Sequence, residues 1–217
     1  MIEDAAHAHG AMVNNIKAGS IGDFGCFSFY STKIMTSGEG GMITMNNESS
    51  YKKCSSYRNR GIDVDNKNGE LFINLGSNHR MTEFQAILCR SQLSRLPEFL
   101  SHRNQIANAY IKILSADGNH FRFQEYDETT YHSYWRFIVF LDKKIDRQKV
   151  QLEMSKKNIV IDAPYSPLLH KQPIFESSID LPCVESYSSH HVSLPIHSLI
   201  SIKDATYIAK NLLELIK

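Results

Sequence analysis

A mixed α/β fold is what the sequence predicts, and three observations predict it. Before residue 42 the chain is punctuated by Gly10, Gly19, Gly22, Gly25, Gly38, Gly40 and Gly41, between which lie short alternating or apolar stretches of strand character. From residue 82 a long helical period sets in, carried by Phe84, Ile87, Leu88 and later Leu96. Beyond residue 130 an aromatic and β-branched segment is followed by helical ones, and the chain closes on an amphipathic helix.

Taken in order, the chain starts with the apolar pair Met1-Ile2 and reaches Asp4. Residues 24–30 and 41–45 read as two short strands flanking the polar loop 31–39, a strand–loop–strand hairpin. Residues 48–60 form a short polar helix that ends near Gly61, and 62–80 a connection rich in Gly and Asn. Thr82 and Gln85 have the spacing of a capping box. Pro97 then kinks the helix or restarts it, so that one long, bent helical unit covers 82–115. A strand over 134–141, a helix over 146–157, a strand over 159–161 and a helix over 201–216 follow. The expected domains are 1–100 and 101–217, the second a small α+β unit. There is no internal repeat and no low-complexity tract.

Composition bounds the function. Of 217 residues, 42% are hydrophobic and 22% charged, and 24 Lys plus Arg against 23 Asp plus Glu leave a net charge of +1. Both signs are scattered, so no basic field exists to neutralise a nucleic-acid backbone. No apolar run approaches the roughly 20 residues that cross a bilayer, and the Met-Ile-Glu-Asp start is unlike a signal peptide, so a cytoplasmic address is expected. Cys26, Cys54, Cys89 and Cys183 are widely spaced and read as reduced thiols. The ten histidines match no zinc-ligand spacing, so no metal is expected.

The chemistry is concentrated near residues 27–41. Phe27-Ser-Phe-Tyr-Ser-Thr-Lys33 places a lysine just past an apolar strand, before the turn Ser37-Gly-Glu-Gly-Gly41. An amine held at a strand end in a partly desolvated pocket is a usable nucleophile for carbonyl chemistry, although most lysines are solvated surface groups. Asp4 precedes Ala5 and Ala6, small residues that let a flat ligand lie close; a carboxylate there can keep a pyridinium protonated or can merely cap a turn. Ser28 and the glycine backbone offer donors to a phosphate, without a P-loop or a GxGxxG motif.

Three segments in order, Ile2-Glu-Asp-Ala-Ala-His-Ala-His-Gly-Ala11, Gly22-Asp-Phe-Gly-Cys-Phe-Ser-Phe-Tyr-Ser-Thr-Lys33 and Thr36-Ser-Gly-Glu-Gly-Gly-Met-Ile43, closely resemble the DegT/DnrJ/EryC1/StrS family of pyridoxal-phosphate-dependent sugar aminotransferases. Tyr57-Arg-Asn-Arg-Gly61, Asn78-His-Arg-Met-Thr-Glu-Phe-Gln-Ala86, His132-Ser-Tyr134, Tyr165-Ser-Pro-Leu-Leu-His170 with Gln172-Pro173, and Ser193-Leu-Pro-Ile-His197 extend the resemblance over the whole chain. It implies an aspartate-aminotransferase-like fold, with residues 1–100 the later portion of the cofactor-binding large domain and 101–217 the small domain. It implies that Lys33 makes the covalent Schiff-base link to pyridoxal 5'-phosphate and later moves a proton at the substrate carbon, that Asp4 pairs with the pyridine nitrogen, that His7 lies beside the phenolic oxygen, that Ser28 bonds the phosphate and that Asn78 reaches a phosphate from a partner subunit. The implied partners are a keto-sugar nucleotide, glutamate or glutamine as amino donor, and a second copy in a homodimer, with no nucleic acid and no membrane. Lys33 sets the chain apart from the family's dehydratase branch, which has histidine there. His79 in place of an aromatic residue, and an added leucine in Pro167-Leu-Leu-His170, depart from the pattern near the substrate end. Family chains begin well upstream of the residue aligned with Met1, so an N-terminally truncated member is expected, with a catalytically silent remnant or interaction subunit as the alternative.

Overall fold

Over the residues it describes, 1–117, 120–175 and 179–216, the computed structural model has, in chain order, β1 (Ile2–Asp4), β2 (Met12–Val13), β3 (Ile16–Lys17), β4 (Phe24–Ser28), β5 (Gly41–Thr44), α1 (Glu48–Arg58), α2 (Glu83–Leu114), β6 (Phe121–Phe123), β7 (Thr130–Tyr131), β8 (Phe137–Leu141), α3 (Arg147–Lys156), α4 (Pro182–Ser188), β9 (His191–Leu194) and α5 (Ile202–Ile216). These elements fall into two compact units, Met1–Leu100 with Glu128–Ser133, and Ser101–Asp127 with Tyr134–Lys217.

In the first unit the expected hairpin forms: β5 runs antiparallel to β4, pairing Ser28 with Gly41 and Gly25 with Thr44. β1 lies parallel to β4 on its other side, Ile2 opposite Phe24 and Asp4 opposite Cys26, which gives the order β1-β4-β5. Gly25 is required by a close approach, since a Cβ there would stand 2.3 Å from the Cα of Gly19. A second small sheet, β3-β2-β7, is too short to have been legible in the sequence; β7 enters it from far along the chain, Met12 pairing with Tyr131. Phe29, Met35 and Cys89 are buried together, with Phe27, Met81 and Leu96 against them, so the start of α2 covers one face of β4. That start is the predicted capping box: the Thr82 N–H donates to Gln85 Oε1 at 2.9 Å and the Gln85 N–H to Thr82 Oγ1 at 3.3 Å. Of the two outcomes expected at Pro97, restart is excluded: α2 runs through it as one 32-residue helix, in which a single missing donor removes one rung.

In the second unit β8 is flanked antiparallel by β6 and β9. Val139, Leu194, Met154, Ala209, Leu212 and Tyr110 are buried in one core with them. α3 is capped by Asp146, whose Oδ1 accepts from the Gln148 and Lys149 N–H groups, and α5 by Ser201 and Asp204, which bond reciprocally. Arg103 of α2 is 9% exposed and donates from one nitrogen to the carbonyls of Tyr134, Trp135 and Ile196 at 2.9, 3.3 and 2.8 Å. Burial draws its guanidinium down to about 10, and its contacts are those of a structural clamp.

Two expected strands change. The strand expected over 134–141 begins only at Phe137, because Tyr134 takes a left-handed φ of 47° that no strand accommodates. The strand expected over 159–161 is absent: Asn158 turns the chain with φ 60°, the Ile159 N–H returns to the Met154 carbonyl, and pairing with β9 is reduced to the bridge between Asp162 and Ser193. Ile159 and Ile161 are apolar because they are buried in the core, not because they form a strand.

Candidate active site

Parallel strands align their C-terminal ends, and β1 and β4 therefore deliver Asp4 and Ser28 to the same end of the sheet. They also share a face: Asp4 stands opposite Cys26, and Ser28 is two residues further along β4. Small ligands of α/β sheets bind at such carboxyl ends. Asp4 Oδ1 accepts the Ala6 N–H at 3.1 Å, and the carboxylate makes no ion pair among the described residues. The turn-capping and ligand-binding roles are thus compatible. Ala5 is buried and Ala6 half-buried behind it. Ser28 Oγ accepts the Tyr30 N–H at 3.3 Å, which leaves its own proton for an acceptor.

Lys33 follows on a loop fixed at both ends. The Phe29 N–H donates to the Gly40 carbonyl at 2.8 Å, and the Phe29 carbonyl accepts from both the Ser37 N–H and Thr36 Oγ1 at 3.0 Å. Gln85 Nε2 of α2 donates to the Glu39 carbonyl at 2.9 Å, so the capping residue of the helix also ties down the glycine turn. Ile34 and Met35 are buried just past Lys33, and the Lys33 N–H closes a turn on the Tyr30 carbonyl at 3.0 Å. The half-buried lysine is held where the strand ends rather than on a free loop.

His7 sits in the turn after β1, and its carbonyl accepts from Ser133 Oγ at 3.0 Å. Two residues on, His9 is 3% exposed, with its ring 5.4 Å from that of Phe27 and 6.0 Å from that of Phe29. Burial drives it down to about 4, and the charges of Lys33 and His7 act in the same direction. Charges thus couple His7, His9 and Lys33 in one neighbourhood. Asn78 stands apart: it is exposed, bridged to Asn59, and has no hydrogen bond to Asp4, His7, Ser28 or Lys33 among the described residues.

Two residues of this region escape sequence reasoning. Nothing in the sequence singles out His9, whose apolar neighbours Phe27 and Phe29 come from β4 and the residue just past it. Glu3 accepts the N–H groups of Gly19, Ile21 and Gly22 at 2.7, 2.7 and 2.6 Å, which hold its carboxyl below the ordinary range. Nothing local in the sequence announces partners so far along the chain.

The donor set fits pyridoxal phosphate: a carboxylate for a ring nitrogen, a hydroxyl proton for a phosphate and an amine for an aldehyde, with small alanines beside the carboxylate. Among the described residues no three His, Cys, Asp or Glu side chains are grouped to hold a metal, no helix is long and apolar enough to cross a membrane, and all four cysteines are free.

Comparison with known proteins gives the same direction. GDP-perosamine synthase of Caulobacter vibrioides is 32% identical over 207 residues, covering 94% of this chain and 55% of its own. The enzyme of the same name from Vibrio cholerae is 31% identical over 90% of this chain and 53% of its own. The crystal structure of a DegT DnrJ EryC1 StrS aminotransferase from Brucella abortus superposes with a TM-score of 0.87 at 23% identity, over 99% of this chain and 56% of that one. Helicobacter pylori PseC, an aminotransferase involved in the biosynthesis of pseudoaminic acid, gives 0.88 at 23%, over 98% and 58%. The chain thus has the fold of part of these enzymes and spans about half the length of its relatives. Residues 1–213 match the profile of a family of sugar aminotransferases that use pyridoxal phosphate, and the chain belongs to that DegT/DnrJ/EryC1/StrS aminotransferase family.

Proposed function

We propose that this chain is the lysine-bearing part of a pyridoxal-phosphate-dependent aminotransferase that moves an amino group from glutamate or glutamine to a keto-sugar nucleotide, in amino-sugar or polysaccharide biosynthesis. The observation that carries this is the delivery of Asp4 and Ser28 to one face and one end of parallel strands, with Lys33 held just past the second strand. Bound there, the cofactor supplies an electron sink for the carbon that gains or loses the amine. Lys33 holds the cofactor through its amine and, once released, moves the proton at the substrate carbon. Asp4 would keep the ring nitrogen protonated, His7 would serve the phenolic oxygen, and Ser28 would donate to the phosphate. Asn78, without a hydrogen bond to these groups in its own chain among the described residues, would serve the site of a second copy, which makes the working form a homodimer. Residues 1–100 would belong to the cofactor-binding domain and 101–217 to the small domain, and the enzyme would act in the cytoplasm. The relatives named above support the substrate class, the two GDP-perosamine synthases by name.

A catalytically silent remnant or interaction subunit is the second reading, favoured by the exposed Ile2 and Ile43 on the face that carries Asp4. Incubation with pyridoxal phosphate, borohydride reduction and peptide mapping separate the two. The expected result is a pyridoxyl group on Lys33; labelling of other lysines with Lys33 unmodified favours the silent remnant.

A further inference from the structure

We propose that His9 is a positioning residue for Lys33: its neutral imidazole wedges against Phe27 and Phe29, holds the turn after β4 closed, and opens that turn when it takes up a proton. His9 is almost fully buried, and neither ring nitrogen has a hydrogen-bond partner among the described residues. A buried imidazole without a partner costs free energy that an apolar ring would not. What distinguishes it from phenylalanine is its capacity to take up a proton.

Its surroundings specify the effect of that proton. Phe27 and Phe29 bracket Ser28 on β4, so the ring supports from behind the strand end that carries the serine and leads to Lys33. Cys89 and Leu96 of α2 and Met35 of the loop complete the cluster around Phe29. The charges acting on His9 are those of Lys33 and His7, both of which oppose a second positive charge, while the Ser28 carbonyl, outside hydrogen-bond geometry, favours it only in part. An imidazolium would stand buried, unpaired and beside an ammonium. Release to water removes all three penalties at once, and Phe29, which the ring packs against, carries the two hydrogen bonds that hold the turn closed, Phe29 N–H to Gly40 and Ser37 N–H to Phe29.

The sign follows from linkage. A histidine at about 4 when closed and 6.5 when open binds more protons in the open form, so opening is favoured as pH falls through that window and levels off below it. At pH 5 the opening constant should exceed its value at pH 7.5 by about thirtyfold.

The role assigned to Lys33 rests on the aminotransferase reading, but the test needs no cofactor, so the two can fail separately. Amide hydrogen exchange of the full chain at pH 5 and 7.5 should show that protection of Phe29, Lys33 and Ser37 falls by this factor while Val139 of the other unit stays unchanged. His9→Phe, which keeps the ring and cannot titrate, should abolish the difference. Should that variant fail to fold, the His9 imidazole titration followed by NMR decides: a midpoint near 4 is expected. A midpoint at 6.5 or above, or the same pH dependence of protection in His9→Phe, overturns the proposal.

Discussion

In the role proposed for it, Asp4 would lose on substitution by Asn the charge that stabilises a protonated ring nitrogen while keeping a hydrogen bond, so the proposed half-reaction with glutamate should slow far more than cofactor affinity falls. Stopped-flow measurement of that half-reaction checks this, and an unchanged rate reduces Asp4 to the turn residue that its bond to Ala6 already makes it. Glu3 is a different carboxylate. Its lowered titration, caused first by the Gly22 N–H and then by that of Gly19, contributes stability that is present above 4.5 and lost as pH falls through the lowered value. Glu3→Gln should therefore melt earlier than wild type at pH 7 and lose the part of the decline in melting temperature that this carboxyl should give wild type as pH falls below 4.5. The positions of Asp4 and Ser28 at strand ends, and of Lys33 just past the second, were legible because each lies in a contiguous motif. Glu3 and His9 were not, because what defines them is supplied by Gly19 to Gly22 and by Phe27 and Phe29, across turns that single-sequence periodicity does not resolve.

Helices were legible where their end chemistry is local. Thr82 and Gln85 lie three residues apart and find one another as expected. Thr82→Ala should cost about 1 kcal/mol, read as a shifted urea midpoint with an unchanged slope. Because Gln85 also holds the Glu39 carbonyl, Gln85→Ala should cost more than Thr82→Ala and raise amide exchange at the glycine turn as well. Strands were legible only as far as alternation outweighs burial. β4 and β5 were found because an apolar run meets a turn, whereas Ile159 and Ile161 imitate a strand while serving as core side chains after a helix end. The two-residue strands β2, β3 and β7 carry too few positions for any period to register.

The first sheet ends on β1, with no further strand on its outer side among the described residues. The face it shares with Asp4 carries Ile2 at 71% and Ile43 at 49% exposure, beside half-buried Phe24 and Cys26. An open edge next to an apolar face is a template for pairing with another chain. Light scattering should find the isolated chain associating beyond a dimer, and Ile2→Lys with Ile43→Lys should reduce that association. A stable dimer that does not associate further would contradict this. The pairing of β7 with β2 has a consequence of another kind. Because Glu128–Ser133 returns to the first unit, that unit is discontinuous, and the polypeptide crosses between the units three times. No single cut yields both halves whole: a fragment stopped at Leu100 lacks the strand opposite Met12 and the hydroxyl that holds the His7 carbonyl. Evolution or an engineer wishing to exchange the second unit must therefore keep residues 128–133 as an island of the first.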